Sequence, residues 1–239
     1  MYAKEAPTSI QAMFNRIAER YDLTNAVLSF SMHHYWNHSL VKHVCHQRPP
    51  AVLLDLCSGT GDIALQYLRN ASIPCHAHCI DFSSEMLELA RKKGRKYIGH
   101  SLHQLTFIES DVQNLPLPNA FADCATMAYG MRNVQNPKKS VEETFRVLKP
   151  GGCFGILELT RPKNKFLSLG HKLYLRTFIP LLGKWLTSSP QAYQYLCQSI
   201  QSFLAPEEVQ EILRNCGFIK TQCVPLSGGI ATLILGFKP

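Results

Sequence analysis

Apolar residues change their spacing several times along this chain, and each change marks an element. Over residues 10–18 they fall at Met13, Phe14, Ile17 and Ala18, the repeat of one helix face, and an aromatic and histidine-rich stretch over 27–44 continues it. After Arg48-Pro49-Pro50 comes a continuous apolar run, 51–57, ended by Ser58-Gly59-Thr60-Gly61-Asp62 and followed by helical spacing over 63–68. That is strand, glycine turn, helix. The unit then recurs. The pattern predicts strands over 75–80, 105–108, 121–129 and 153–159, a helix over 84–95 capped by Ser84, and a helix over 139–148 stopped by Lys149-Pro150-Gly151-Gly152. Strands alternating with helices imply a parallel sheet covered on both faces. Residues 163–205 break the rhythm with no clear strand, 206–216 predict a last helix, and 220–225 with 230–237 predict a closing hairpin across Ser227-Gly228-Gly229. The sum is an α/β, Rossmann-like fold with a seven-stranded, mostly parallel sheet ending in an antiparallel hairpin. Residues 1–48 form a helical extension, 49–239 the main domain, and 163–205 a helical insertion within it.

Composition narrows the class. The chain has 239 residues, 46% of them hydrophobic and 18% charged, enough for a real core and against disorder. A net charge of +8 points to an anionic partner or a membrane surface without choosing between them. Nine cysteines scattered through apolar stretches read as reduced thiols, not a disulfide framework. Strand alternation in Cys75-His76-Ala77-His78-Cys79 sends the cysteines and the histidines to opposite faces, so no metal site is expected. No secretory segment and no run of ~20 apolar residues is present. The expected location is cytoplasmic, with peripheral contact at the inner face of a membrane as an option.

The glycine turn at the end of the first strand lets backbone N–H groups approach a ligand and opens a helix whose positive end faces the crevice. The sequence Asp55-Leu56-Cys57-Ser58-Gly59-Thr60-Gly61 lacks the G-x-G-x-x-G spacing of dinucleotide sites, which favours a ligand without a pyrophosphate. Asp81, at the end of the second strand, stands where doubly wound folds set an acid against ribose hydroxyls; its other reading is a helix cap.

Residues 55–62, Asp81, Asp111 and the Leu148-Lys149-Pro150-Gly151-Gly152 turn together resemble a class I S-adenosylmethionine-dependent methyltransferase. A narrower resemblance spans nearly the whole chain. Met13-Phe14-Asn15-Arg16-Ile17-Ala18-Glu19-Arg20-Tyr21-Asp22, Tyr129-Gly130-Met131-Arg132-Asn133-Val134, Tyr193-Gln194-Tyr195-Leu196 with Ser199-Ile200, and Gly228-Gly229-Ile230-Ala231 are similar to the ubiquinone/menaquinone biosynthesis C-methyltransferase family. The chain departs from that family at Cys57 and Ser58, where glycine or alanine is common, at Ser31, where glycine is usual, and over residues 33–38, which lose basic side chains.

The resemblance implies S-adenosylmethionine as cofactor, held by Asp55, Gly59, Thr60 and Gly61 in and below the turn, by Asp81 on the ribose, and by Asp111 and Val112 beside the adenine. A carboxylate can accept from the adenine amine while a backbone N–H donates to a ring nitrogen. It implies a prenylated quinol as substrate, whose ring carbon becomes nucleophilic when the neighbouring hydroxyl loses its proton. Arg132, with Asn133 beside it, is the candidate to stabilise the phenolate; Tyr21, Asp22 and His33 are candidates to close over the ring, and His33 has the pKa best suited to take a proton. Tyr21 and Asp22 could instead anchor the N-terminal helix. Leu169, Leu173, Phe178 and Trp185, with Lys172, Arg176 and Lys184 between them, read either as an amphipathic cover for a prenyl tail resting on anionic lipid or as ordinary core. A broad aromatic lining of Phe14, Tyr21, Tyr129, Met131, Trp185 and Tyr195 favours a naphthoquinol, demethylmenaquinol, over a methoxy-benzoquinol. The rivals are an RNA methyltransferase and a non-catalytic adenosylmethionine-binding scaffold. Nucleic acid is not expected as a partner, since Ala128-Tyr129-Gly130-Met131-Arg132 lacks the residues that grip a flipped base; homodimer formation is left open.

Overall fold

The computed structural model describes residues 7–45, 51–98, 102–178 and 190–239. Three helices, α1 (Pro7–Ile17), α2 (Tyr21–Leu28) and α3 (Met32–Cys45), precede β1 (Val52–Leu56). Then follow α4 (Asp62–Asn70), β2 (His76–Asp81), α5 (Ser84–Ile98), β3 (Gln104–Glu109), β4 (Ala122–Ala128), α6 (Pro137–Val147) and β5 (Leu148–Leu159). After β5 come α7 (Lys165–Leu173), which continues as a wider helical turn over Tyr174–Phe178, then α8 (Pro190–Ser202), α9 (Pro206–Asn215), β6 (Ile219–Leu226) and β7 (Ala231–Phe237). The sheet order is β3-β2-β1-β4-β5-β7-β6, with β7 antiparallel to both neighbours. The order reverses beside β1, and the strand ends β1 and β4 open the crevice where open α/β sheets bind ligands.

Each face has its own core. Trp36, Leu40 and Val44 of α3 pack with Ile63 and Tyr67 of α4 over β1, β5 and β7. Val141 of α6 and Val209 and Leu213 of α9 cover the other face with Phe154. The approach of α3 to β5 requires Gly155, because a Cβ there would lie 2.6 Å from Val44 and 2.7 Å from Leu40.

Two local readings change. Ser83, not Ser84, caps α5, its hydroxyl accepting from the Met86 N–H at 3.2 Å, while Ser84 donates to Glu85. β5 begins at Leu148, which pairs with Ala122 of β4, and Gly151 and Gly152 in the turn exchange backbone hydrogen bonds with Lys238. Ser31 and Cys57, which stand where the resembled family favours small residues, have φ of +59° and +53°, a left-handed backbone that costs a side-chain-bearing residue about 1–2 kcal/mol. The histidines His76 and His78 stack at 4.0 Å on one face of β2, away from buried Cys75 and Cys79.

Candidate functional site

Two cavities meet above the carboxyl ends of β1 and β4. The first, about 210 Å³, is lined by Gly59 of the turn, Asp81 and Phe82 after β2, Asp111 and Val112 after β3, and Tyr129, Gly130 and Asn133 after β4. Phe14 and Tyr21 of the N-terminal helices close it. Asp81 is buried, and its carboxylate accepts backbone N–H groups from Gly59 at 2.8 Å and Ser83 at 2.9 Å, with the Phe82 N–H also directed at it. A carboxylate offers about four acceptor directions, so capacity remains for a ligand's hydroxyl. Burial pushes this carboxyl above its ordinary value, and those N–H groups oppose the push. Tight backbone contact shapes the opposite wall: a Cβ on Gly130 would lie 2.4 Å from the Cys57 Cβ.

Asp111 is exposed and binds the Gln113 backbone N–H at 2.9 Å and its side-chain amide at 2.8 Å, which fixes the loop that carries Val112 to the cavity. Asp55 lies beneath the turn and outside the first cavity, accepting from Ala64 N–H at 3.2 Å and from the Thr126 hydroxyl at 2.9 Å. Burial raises its pKa to about 7. Gly61 adopts φ +80° at the start of α4 and packs against Ala90, so it shapes the turn without lining the first cavity.

Thr60 and Asp22 require correction. The Thr60 hydroxyl does not face the first cavity: it donates to Asp22 at 2.7 Å and accepts from Lys93 at 2.8 Å. Lys93 also pairs with Asp22 and, at 2.7 Å, with Asp62. An aspartate held by a hydroxyl and an ammonium is an anchor, so Asp22 fastens the N-terminal helices to the glycine turn. Asn15 helps by accepting from Ser83 at 2.6 Å. Tyr21, next in chain to that anchor, is brought to the junction of the two cavities.

The second cavity, about 330 Å³, is mainly apolar, with Leu28, Trp36, Leu159, Leu175, Leu196 and Ile230 among its walls. It shares Tyr21 and Tyr129 with the first and is also lined by His33 and Arg132. Arg132, expected as a fixed cation for a phenolate, is paired with Glu158. Arg132 Nη1 donates to both Glu158 oxygens, at 2.9 and 3.1 Å, and to the Tyr129 carbonyl at 2.5 Å, with both side chains buried. Burial alone would disfavour the guanidinium charge, and the Glu158 carboxylate reverses that. The charge is neutralised within the fold, and its visible task is to hold the turn after β4. Asn133 braces the same turn, accepting from the Tyr195 hydroxyl at 2.9 Å. The Tyr129 hydroxyl donates to buried Asn37 at 2.9 Å.

Of the aromatic lining expected for the substrate, Tyr129 is on both cavities, Phe14 and Tyr21 close the first, and Tyr195 lies on a smaller neighbour. Met131 is fully buried in the α6–α9 core and lines neither, and Trp185 lies outside the described residues. Sequence reasoning missed Glu158, Lys93 and Ser29. A lone acid inside the apolar run Gly155-Ile156-Leu157-Glu158-Leu159 is a signal that could have flagged the first.

The model of the ubiE/COQ5 methyltransferase family matches residues 1–238. A demethylmenaquinone methyltransferase of Protochlamydia amoebophila is 56% identical over 238 residues, covering 100% of this chain and 98% of that one. Another, of Chlamydia pneumoniae, is 40% identical, covering 93% of each. Among solved structures, an S-adenosylmethionine-dependent methyltransferase from Aquifex aeolicus aligns over 85% of this chain and 89% of that one with a TM-score of 0.60 at 18% identity. One from Thermotoga maritima aligns over 95% and 99% with a TM-score of 0.62 at 20% identity. At these identities the structural likeness speaks to the fold.

Proposed function

The chain belongs to the ubiE/COQ5 methyltransferase family, and from that premise we propose that it methylates a ring carbon of demethylmenaquinol in menaquinone biosynthesis. S-adenosylmethionine is the cofactor of such an enzyme, and the first cavity fits it: a buried acid, Asp81, Gly59 and Gly130 where the backbone comes close, and Asp111 and Val112 on the wall. When bound, it supplies a sulfonium methyl that a carbon nucleophile can take. Asp81 would hold the ribose, and Phe14 and Tyr21 would exclude water. The observation that carries the substrate reading is the meeting of this cavity with an apolar one at Tyr21 and Tyr129. A flat ring can sit at that junction with an apolar tail in the larger space.

Side-by-side kinetics with matched prenyl tails test the ring. The expected result is a kcat/KM favouring demethylmenaquinol over 2-methoxy-6-polyprenyl-benzoquinol by tenfold or more, equivalent to about 1.4 kcal/mol. A preference of that size for the benzoquinol would assign the chain to ubiquinone synthesis instead.

The partner for the mouth of the larger cavity is an anionic bilayer. Phe166, 88% exposed, Leu169, 69% exposed, and Leu173 form a stripe along α7, and exposed Phe30 stacks on Phe178 beside it. Leu167 and Tyr174 of the same segment, with Phe30 and Met32, line the cavity. Between Leu159 and Pro206 the sequence has six Lys and Arg and no Asp or Glu, a local excess of positive charge that suits anionic lipid. No helix among the described residues is long and apolar enough to cross a membrane. Phe166→Asp with Leu169→Asp is expected to reduce cosedimentation with phosphatidylglycerol vesicles by tenfold or more while leaving cofactor affinity unchanged. Equal sedimentation of variant and wild type would remove the lipid contact.

A further inference from the structure

We propose that His33 takes the quinol proton on Nε2 and that Ser29 fixes the ring tautomer that makes this possible; the inference rests on the quinol reading above. Both residues sit where α2 hands over to α3. The Ser29 hydroxyl oxygen lies 2.7 Å from the Asn25 carbonyl and 2.8 Å from His33 Nδ1, and it accepts the His33 backbone N–H at 3.3 Å. Two oxygens at 2.7 Å need a hydrogen between them, and the carbonyl has none to give, so the Ser29 proton points at Asn25. Nδ1 must then be the donor toward Ser29. A neutral imidazole carries one N–H, so Nε2 is left as the lone-pair nitrogen, on a residue that lines the apolar cavity and whose ring has no other hydrogen bond among the described residues.

Desolvation keeps the ring in that neutral, proton-accepting form. His33 is buried, and burial first, then the adjacent His34, lowers its pKa from the ordinary histidine value. Asp22 of α2 and Asp62 of α4 oppose the shift, but both are engaged by Lys93. Tyr21, Tyr129, Tyr174, Arg132 and His171 also line the cavity. Burial raises the three tyrosines and Glu158 pairs Arg132. Burial lowers His171, which lies on α7 and among the described residues has no partner like Ser29 at its ring.

The step balances. The quinol O–H bond breaks, Nε2–H forms, and the electron pair stays on oxygen, shared with the neighbouring ring carbon. After that carbon is methylated, its own proton leaves to water as the ring becomes aromatic again, and Nε2 returns its proton to the oxygen. One proton is released overall.

Two measurements test the pair. Long-range proton–nitrogen NMR on histidine-labelled, substrate-free protein should show His33 as the Nδ1–H tautomer, and Ser29→Ala should abolish that preference. In steady-state assays with demethylmenaquinol, His33→Gln should lower kcat by about 10²–10⁴-fold and remove the acidic limb of the kcat–pH profile, whose wild-type midpoint lies below the ordinary histidine value of about 6.5. Ser29→Ala should lower kcat with little change in KM, and Ser29→Thr, which keeps the hydroxyl, should recover most of it. An Nε2–H tautomer in the wild type, or a His33→Gln kcat within twofold of wild type at every pH, would overturn the inference. Absence of wild-type turnover with either quinol would sink the substrate reading instead, while the NMR result would still report on the tautomer.

Discussion

Glu158→Gln should cost about 3–5 kcal/mol of folding stability, the usual penalty for leaving one member of a buried ion pair without its counter-charge. Among the described residues Arg132 has no second partner of opposite sign: its side chain is buried and its Nη1 bonds to Glu158 and the Tyr129 carbonyl. Denaturant unfolding would show the loss as a lower midpoint at unchanged slope. The double variant Glu158→Gln with Arg132→Met should recover much of that stability, because neither charge then remains in the core. A single-variant loss below 1 kcal/mol would mean that the pair is hydrated and free to reorganise, and Arg132 would return as a candidate for holding a substrate anion.

Asp81→Ala should weaken S-adenosylmethionine by about 1.5–3 kcal/mol, or roughly 10- to 150-fold, the range for losing charge-assisted hydrogen bonds. The same change strips the Gly59 and Ser83 N–H groups of their acceptor and loosens the turn and the start of α5 together. Asp81→Asn keeps an acceptor and should fall between the two. Calorimetry on the three proteins separates the outcomes, and unchanged affinity in the alanine variant would remove Asp81 from the ribose.

Sequence pattern determined most of the architecture, because the periods that define strands and helices are set by neighbours a few residues apart. The apolar run before the glycine turn, the helical spacing after it and the closing hairpin are legible in that way, and so is the position of Asp81 at a strand end. The motif residues Asp81, Asp111 and Val112 lie together on one cavity because parallel strands in register deliver their carboxyl ends to one edge. The N-terminal anchor, the buried ion pair and the tail cavity were not legible. Thr60 reads as a cofactor contact in sequence and becomes a latch for Asp22 only when α2 is folded against the turn. Arg132 reads as a free cation until β4 and β5 pair with Ala128 beside Leu157, which brings Glu158 under the turn that follows. The apolar cavity has walls from α2, α3, α7, α8 and the β6–β7 turn, segments scattered from Tyr21 to Ile230. No local period encodes a meeting of that kind; the sheet order and helix packing impose it, as they impose the partners of Arg132 and Asp22.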